Sequence, residues 1–468
     1  MTQAHQPVFH PPSGAARPRL AFLGTGYLGA TYAICYAELG YDVLGFDVDE
    51  AKIAKLAAGQ VPFHEPGLDG LLRRGLASRR LRFTTSYADV AEFADIHFIC
   101  VGTPQQADSM AADMQYVAAA VTGIAPHLRR KALVVGKSTV PAGTAEWVER
   151  LVAEHAPGLD VEVAWSPEFL QEAHAVEDVL RPDRLVFGVK SEWAYAALFA
   201  AHKGVFDLAA GEDREVPVVV TDFATAELVK VAANSFLATK ISFINAMSIM
   251  CDAVGADVSD LARAMGYDER IGSKFLRAGI GFGGGCLPKD IRAFQARAAE
   301  LGVGDSLRLL HEVDRINNGQ RDRVVHLAVE LLDRPPARDG RLFDGTRIAV
   351  LGATFKPNTD DVRDSPALAV ATALRDRGAH VVIFDPEGME NARRVLPDVS
   401  YAETLHDAVR DADVTCVLTA WDMFRLADPT ELGTLVAERR VVDGMNCLDP
   451  KIWTAAGWAY RGLGRRTT

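Results

Sequence analysis

Paired cysteines are missing from this sequence. Its six cysteines, Cys35, Cys100, Cys251, Cys286, Cys416 and Cys447, stand far apart, and no C-x-x-C occurs. The pattern indicates neither a zinc site nor a disulfide framework, so no metal is expected and a reducing cytoplasm fits. Positive charge is scarce as well: 50 Lys and Arg face 62 Asp and Glu, for a net charge of −12. Nucleic-acid binding rests on cationic contacts to phosphate, so no nucleic-acid partner is expected, although a local cluster of cations can still hold a small anion. No apolar run reads as long enough to span a bilayer, and no membrane partner is expected either. The first 18 residues, with PVFHPPSGAARPR, lack an apolar core segment. They read as a disordered tail rather than a signal peptide.

What is present points to an α/β protein of several domains. A chain of 468 residues is too long for one core, and 49% apolar content is ordinary for a globular protein. RLAFLGTGYLGATYAICYAELGYDVLGFDVD reads as strand, glycine turn, helix and strand, with strands at Leu20–Leu23 and Val43–Phe46 and a helix ended by Gly40. DIHFICVGTP, ALVVGKSTVP and EVAWSPEF continue the alternation, which predicts a parallel sheet. From Phe223 the pattern turns helical, with one long helical stretch free of Pro and internal Gly. RPPARDG, from Arg334 to Gly340, then reads as a linker. After it, RIAVLG, HVVIFDP, VTCVLTAW and RRVVDGMN restart the strand–helix alternation. The expected plan is a tail over 1–18, a Rossmann domain over 19–222, a central helical region over 223–333, and a second Rossmann-like α/β domain over 334–468.

Gly24, Gly26 and Gly29 form G-x-G-x-x-G. The first glycine permits the turn, the second lets backbone N–H groups approach a pyrophosphate, and the third lets helix and strand pack closely. Alone the pattern is weak. Here it follows a strand, opens a helix, and has Asp47 at the end of the next strand, where an acid bonds the ribose hydroxyls. A carboxylate there repels a 2′-phosphate, so NAD is favoured over NADP.

Lys230 and Asn234 share one face of the long helix, one turn apart. A helical lysine is usually solvated; beside an asparagine in a hydride-transfer protein it can instead hold an oxyanion. Glu168 and Glu172 in SPEFLQEA are expected on one helical face if Pro167 opens a helix, as either a solvated face or a base. In GIGFGGGCLPKD five glycines precede Cys286. Pro288 suits a helix start, which places Cys286 just before a helix N-terminus with Lys289 close by, and both favour a thiolate. A cysteine is more often a small buried hydrophobe, but these surroundings are those of a nucleophile. Lys356 and Arg363 lie in VLGATFKPNTDDVRDSP after a strand, where they either hold phosphate or serve only structure.

The combination resembles the nucleotide-sugar 6-dehydrogenases. Matching stretches run over nearly the whole chain: GTGYLG, HEPGLDGLL, VGTP, KSTVPAGT, SPEFLQEA, ELVKVAANSFLATKISFIN, RIGSKFL, GFGGGCLPKD, FKPNTDDVRDSP and VVDGMN. The resemblance implies NAD-dependent oxidation of a sugar C6 alcohol to a carboxylate. UDP-glucose is the expected substrate, GDP-mannose or a UDP-N-acetylhexosamine the alternative, and a non-catalytic nucleotide-binding protein the third reading. It implies Cys286 as nucleophile, Lys230 and Asn234 as oxyanion holders assisted by Asp290, and Glu168 as the group that positions or activates water. Thr139 and Glu172 would line the cofactor and reaction pocket. Tyr27, Leu28, Lys52 and Thr103 would join the glycines and Asp47 at the cofactor, with Arg363 contacting it from the C-terminal domain. Phe169, Leu170, Phe275, Leu276 and Gly283 would line the sugar pocket, and Lys356 would bind substrate. Arg270 would reach the sugar of a neighbouring subunit, so a homodimer or larger homo-oligomer is expected. The long helix, with Phe236, Ile244 and Met247 along it, either packs across a two-fold or serves as an intrachain core helix. Two positions depart from the resemblance: Met445 where relatives usually carry Arg, and Ala278 where bacterial relatives often carry Pro.

Overall fold

The computed structural model describes residues 17–333 and 342–465. The linker read at Arg334 to Gly340, and all of the tail except Arg17 and Pro18, lie outside the described residues. The chain divides into two compact units, one running to Ala233 and including Arg292–Glu300, the other comprising Asn234–Ile291 and the residues from Leu301 onward.

The first unit is built on eight strands: β1 (Leu20–Leu23), β2 (Val43–Phe46), β3 (Leu81–Thr84), β4 (Ile96–Ile99), β5 (Ala132–Gly136), β6 (Val161–Trp165), β7 (Leu185–Gly188) and β8 (Val218–Thr221). Their order is β3-β2-β1-β4-β5-β6-β7-β8. The central strands β1, β2, β4 and β5 are buried at every residue, which is why they read as short continuous apolar runs without alternation. The expectation of a wholly parallel sheet needs one correction, because β6 and β7 pair antiparallel through Trp165 and Gly188. The strand order reverses between β1 and β4. That switch point is where ligands bind in open α/β sheets, and Gly24 lies at the end of β1 beside it.

The second unit holds a parallel sheet of β9 (Arg347–Leu351), β10 (His380–Phe384), β11 (Ser400–Tyr401), β12 (Val414–Val417), β13 (Arg440–Asp443) and β14 (Ala459–Gly462), in the order β11-β10-β9-β12-β13-β14. It repeats the plan of the first sheet, with its own reversal between β9 and β12.

The long helix expected from the sequence spans Phe223–Val254. By length and composition alone it could cross a membrane, which corrects the expectation that no such run exists. It nevertheless carries the polar contacts of a core helix. Glu227 accepts from the backbone N–H groups of Gly143 and Ala145 in the first unit, and Ser242 donates to the carbonyl of Val313 in the second. Of the residues expected across a two-fold, Phe236 is 67% exposed, but Ile244 is fully buried with Cys251, Val258, Leu276 and Ala278. Ile244 is therefore a core residue of its own unit.

Candidate active site

The glycine turn is shaped by close approach. A Cβ on Gly29 would sit 1.8 Å from the carbonyl oxygen of Gly24, so the helix Tyr27–Glu38 comes as near β1 as a bare backbone allows. Gly24 has φ +92°, a conformation that costs glycine little. Around Gly26 there is open space, and no side chain caps the helix there. Its first N–H groups are thus left for a ligand. Asp47, 7% exposed at the end of β2, accepts from the N–H and hydroxyl of Thr25, from Lys52 Nζ at 2.8 Å and from the N–H of Asp49. Burial opposes its charge, but the hydrogen bonds from Lys52, Asp49 and Thr25 outweigh it and hold the carboxyl below its ordinary range. An uncapped helix start with an ionised acid beside it fits a dinucleotide whose ribose carries free hydroxyls. Thr103 donates to the carbonyl of Thr139, so these two predicted residues meet. The Tyr27 hydroxyl donates to Glu65, and burial raises its pKa. Any contact of Tyr27 to a cofactor therefore falls to its backbone or ring. Leu28 is half-buried on the same helix.

Glu168 and Glu172 are not on a helix. After β6 the chain runs irregularly to a helix at Ala175–Leu180. Glu65 draws it away from helical bonding by accepting from the N–H groups of Ala173 and Ala175, and Ala173 adopts φ +67°. Instead Glu168 pairs with Lys230 Nζ at 2.9 Å, both nearly buried, and accepts from the N–H of Leu170. The Phe169 ring lies under Arg184, whose guanidinium is 3.7 Å from its centroid, and the Lys230 ammonium is 5.6 Å from it. A buried pair is costly to break, about 3–5 kcal/mol if one partner is removed. Lys230 is therefore held as a directed cation beside Glu168, itself 8% exposed.

In the second unit Cys286 immediately precedes the helix Leu287–Glu300, and its carbonyl accepts from the N–H of Asp290. It is exposed, whereas Cys35, Cys100, Cys251 and Cys416 are buried. Asp290, 2% exposed, accepts from Asn234 Nδ2 at 2.7 Å and pairs with Lys289. The Lys289 charge is thus shared with Asp290. The glycines before Cys286 serve packing inside the chain. A Cβ on Gly283 would meet the carbonyl of Asp364 at 2.3 Å, one on Gly284 the Phe355 ring at 2.8 Å, and one on Gly285 the Arg363 guanidinium at 2.3 Å. The loop after β9 therefore lies directly against the cysteine loop, with Arg363 also paired to Asp361. Phe275 has φ +63° and Leu276 is buried. Arg270 is 89% exposed and pairs with Asp268.

Models of the UDP-glucose/GDP-mannose dehydrogenase family match in three parts: the NAD binding domain over 18–205, the central domain over 224–319 and the UDP binding domain over 349–450. The chain belongs to that family. It is 40% identical over 449 residues to a UDP-glucose 6-dehydrogenase of Rhizobium meliloti, covering 96% of this chain and 99% of the relative. A UDP-glucose dehydrogenase from Pyrobaculum islandicum superposes with TM-score 0.85 at 38% identity, covering 97% of this chain and 99% of that one. A UDP-D-ManNAc dehydrogenase from Pyrococcus horikoshii superposes with TM-score 0.80 at 27% identity, covering 96% and 99%. The chain is an oxidoreductase with NAD as cofactor.

Within this dehydrogenase, Lys356 stands beside the Phe355 ring in the loop that meets the cysteine loop, so a loop that could have been purely structural adjoins the candidate nucleophile. Met445 packs partly buried against the core of the second sheet, its sulfur 3.6 Å from where a Gly279 Cβ would stand. Ala278 is buried. Two asparagines that support the loop were not anticipated. Asn245 accepts from the N–H of Gly279, and Asn317 brackets Phe282, accepting from its N–H and donating to its carbonyl. Both are fully buried amides on helices, beside buried Ser242 and Ser248 in one case and buried Gln320 in the other, so no isolated polar residue on an apolar face marked them.

Asp47→Ser tests the cofactor site. It would remove the expected ribose acceptor and free the Lys52 ammonium, now bonded to Asp47, for a 2′-phosphate. NAD binding is expected to weaken about tenfold to a hundredfold, and the gap to NADP to narrow, as read by titration with each dinucleotide. An unchanged ratio would refute the assignment.

Proposed function

We propose that this family member oxidises the C6 alcohol of UDP-glucose to the carboxylate, with Cys286 as covalent nucleophile. The observation that carries the reading is an exposed thiol at a helix start within the family's central domain. NAD supplies the hydride acceptor for both oxidations. In the first, hydride and the hydroxyl proton leave C6 to give an aldehyde. The Cys286 thiolate adds to the aldehyde carbon, the C–S bond forms, and the oxygen takes a proton. Loss of a second hydride and that proton leaves a thioester. Water then adds, the C–S bond breaks, the thiolate leaves and the acid is free. Capture on sulfur retains the reactive aldehyde and divides a hard oxidation into easier steps.

Lys230 and Asn234 offset charge on the reacting oxygen, with Asp290 orienting Asn234, and Glu168 orients the hydrolytic water. Lys356 and the loop residues Phe275, Leu276 and Gly283 suit the sugar nucleotide, and Thr139, Glu172 and Arg363 the cofactor side. UDP-glucose is favoured over other sugars because relatives of that name reach 40% identity, against 27% for the UDP-D-ManNAc enzyme. A homodimer is favoured by Phe236, Phe243, Ile249, Met250 and Val254, all exposed along one helix, and by the outward reach of Arg270. Scattered cysteines suit a reducing cytoplasm.

The test is NADH formation with UDP-glucose, GDP-mannose and UDP-N-acetylhexosamines. About two NADH per UDP-glucose are expected, with the other sugars slower. Faster turnover of another sugar would reassign the substrate, and none with any would remove the enzymatic reading.

A further inference from the structure

Lys137 is not absorbed by this reaction, yet it is 1% exposed among aromatic rings. Its side chain leaves the end of β5 and its ammonium lies 4.5 Å from the centroid of Tyr32 and 5.7 Å from that of Phe98. It donates to the carbonyl of Ser166 at 3.0 Å, with the Ser166 hydroxyl at 3.5 Å. Ser166 is fully buried, its N–H is held by the carbonyl of Gly136, and two residues later comes Glu168. A buried cation is expensive unless it is hydrogen-bonded and compensated. A lysine kept in such a place solely to hold one carbonyl is unusual economy for a fold, and that carbonyl begins the segment carrying the water-orienting carboxylate.

We propose that Lys137 is a positioning residue for hydrolysis: its buried ammonium fixes the backbone at Ser166 and thereby the place of Glu168. The inference rests on the role given above to Glu168. The groups facing Lys137 are Tyr32 from the helix Tyr27–Glu38, Cys100 after β4, His202 from the helix Glu192–Gly211, and Glu168 itself. Burial keeps Tyr32 protonated, pushes the Cys100 thiol up to about 12, and, with the Lys137 charge, pushes His202 down to about 3. Those three are uncharged near neutrality, and the nearby negative charge is that of Glu168, whose direct partner is Lys230. Burial lowers Lys137 to about 8, against the pull of Glu168. Its charge is therefore present below that pH and lost as the pH rises through it, and an uncharged amine donates more weakly.

The experiment compares wild type with Lys137→Met and Lys137→Gln, each checked for folding and NAD binding. Rapid mixing with UDP-glucose and NAD reads the NADH burst and the steady state separately. For Lys137→Met the burst is expected to survive while the steady state falls on the order of 10²-fold, and Lys137→Gln, which keeps a donor, recovers part of the loss. A folded Lys137→Met that turns over like wild type overturns the proposal, as does an equal loss in burst and steady state. If that variant does not fold, wild type decides. The acid-quenched, Cys286-bound fraction is expected to rise above about pH 8, and a constant fraction across that range overturns the proposal. Absence of any adduct in both wild type and Glu168→Gln would instead overturn the thioester reading on which it rests.

Discussion

Cys286→Ala is expected to abolish formation of the acid. Without sulfur no thioester forms, so turnover to the carboxylate is expected to fall at least about a thousandfold, a loss of the size seen when a nucleophile is removed. The thiol is exposed, and surface substitutions usually change stability by within about 0.5 kcal/mol. The Asn234–Asp290 and Lys289–Asp290 contacts do not involve the side chain that is removed. Melting temperature and NAD binding should therefore match wild type. The first hydride transfer needs no sulfur, so a single-turnover experiment is expected to show at most about one NADH per site. Undiminished acid production, measured by chromatography of the products, would show that Cys286 is not the nucleophile.

The second large effect is expected from Glu168→Gln, and its form distinguishes the steps. Glutamine offers one carbonyl oxygen to Lys230 but cannot accept a proton from water. Both hydride transfers remain possible, so about two NADH per site should appear rapidly, followed by a near stop as the acyl-enzyme accumulates. The steady state is expected to fall by about 10²- to 10⁴-fold, the usual contribution of a positioned proton-transfer group. Intact-mass measurement should find the sugar nucleotide on Cys286. This variant also disturbs a buried ion pair, with Lys230 Nζ and Glu168 at 2.9 Å, so a lower melting temperature is expected as well. If the folded variant shows neither burst nor adduct, Glu168 acts before the thioester or stands outside the chemistry.

Much of this molecule was legible because the relevant signals are local. Leu20–Leu23 and Val43–Phe46 emerge as strands at the expected bounds, since each is a short apolar run closed by glycine or acid. Gly24, Gly26, Gly29 and Asp47 belong to one strand–turn–helix–strand unit, whose geometry follows from residues adjacent in sequence. Cys286 stands before a helix as Pro288 implied. Strands β3, β7, β8, β11 and β14 were not singled out: they have two to four residues each, and several carry partly exposed positions that blur the apolar run.

Long-range partners decided the rest. Local spacing allowed a helix from Pro167, but Glu65, about a hundred residues away, captures the N–H groups of Ala173 and Ala175 that such a helix would use. Spacing placed Lys230 on a helical face without showing that Glu168 answers it. The glycines before Cys286 looked like room for a substrate, and in the fold that room is taken by Phe355, Arg363 and Asp364. In each case the chemistry of a residue was plain from its identity, while its state depended on which distant group desolvated or paired it. Desolvation and pairing are properties of three-dimensional proximity, and no periodicity in the chain encodes them.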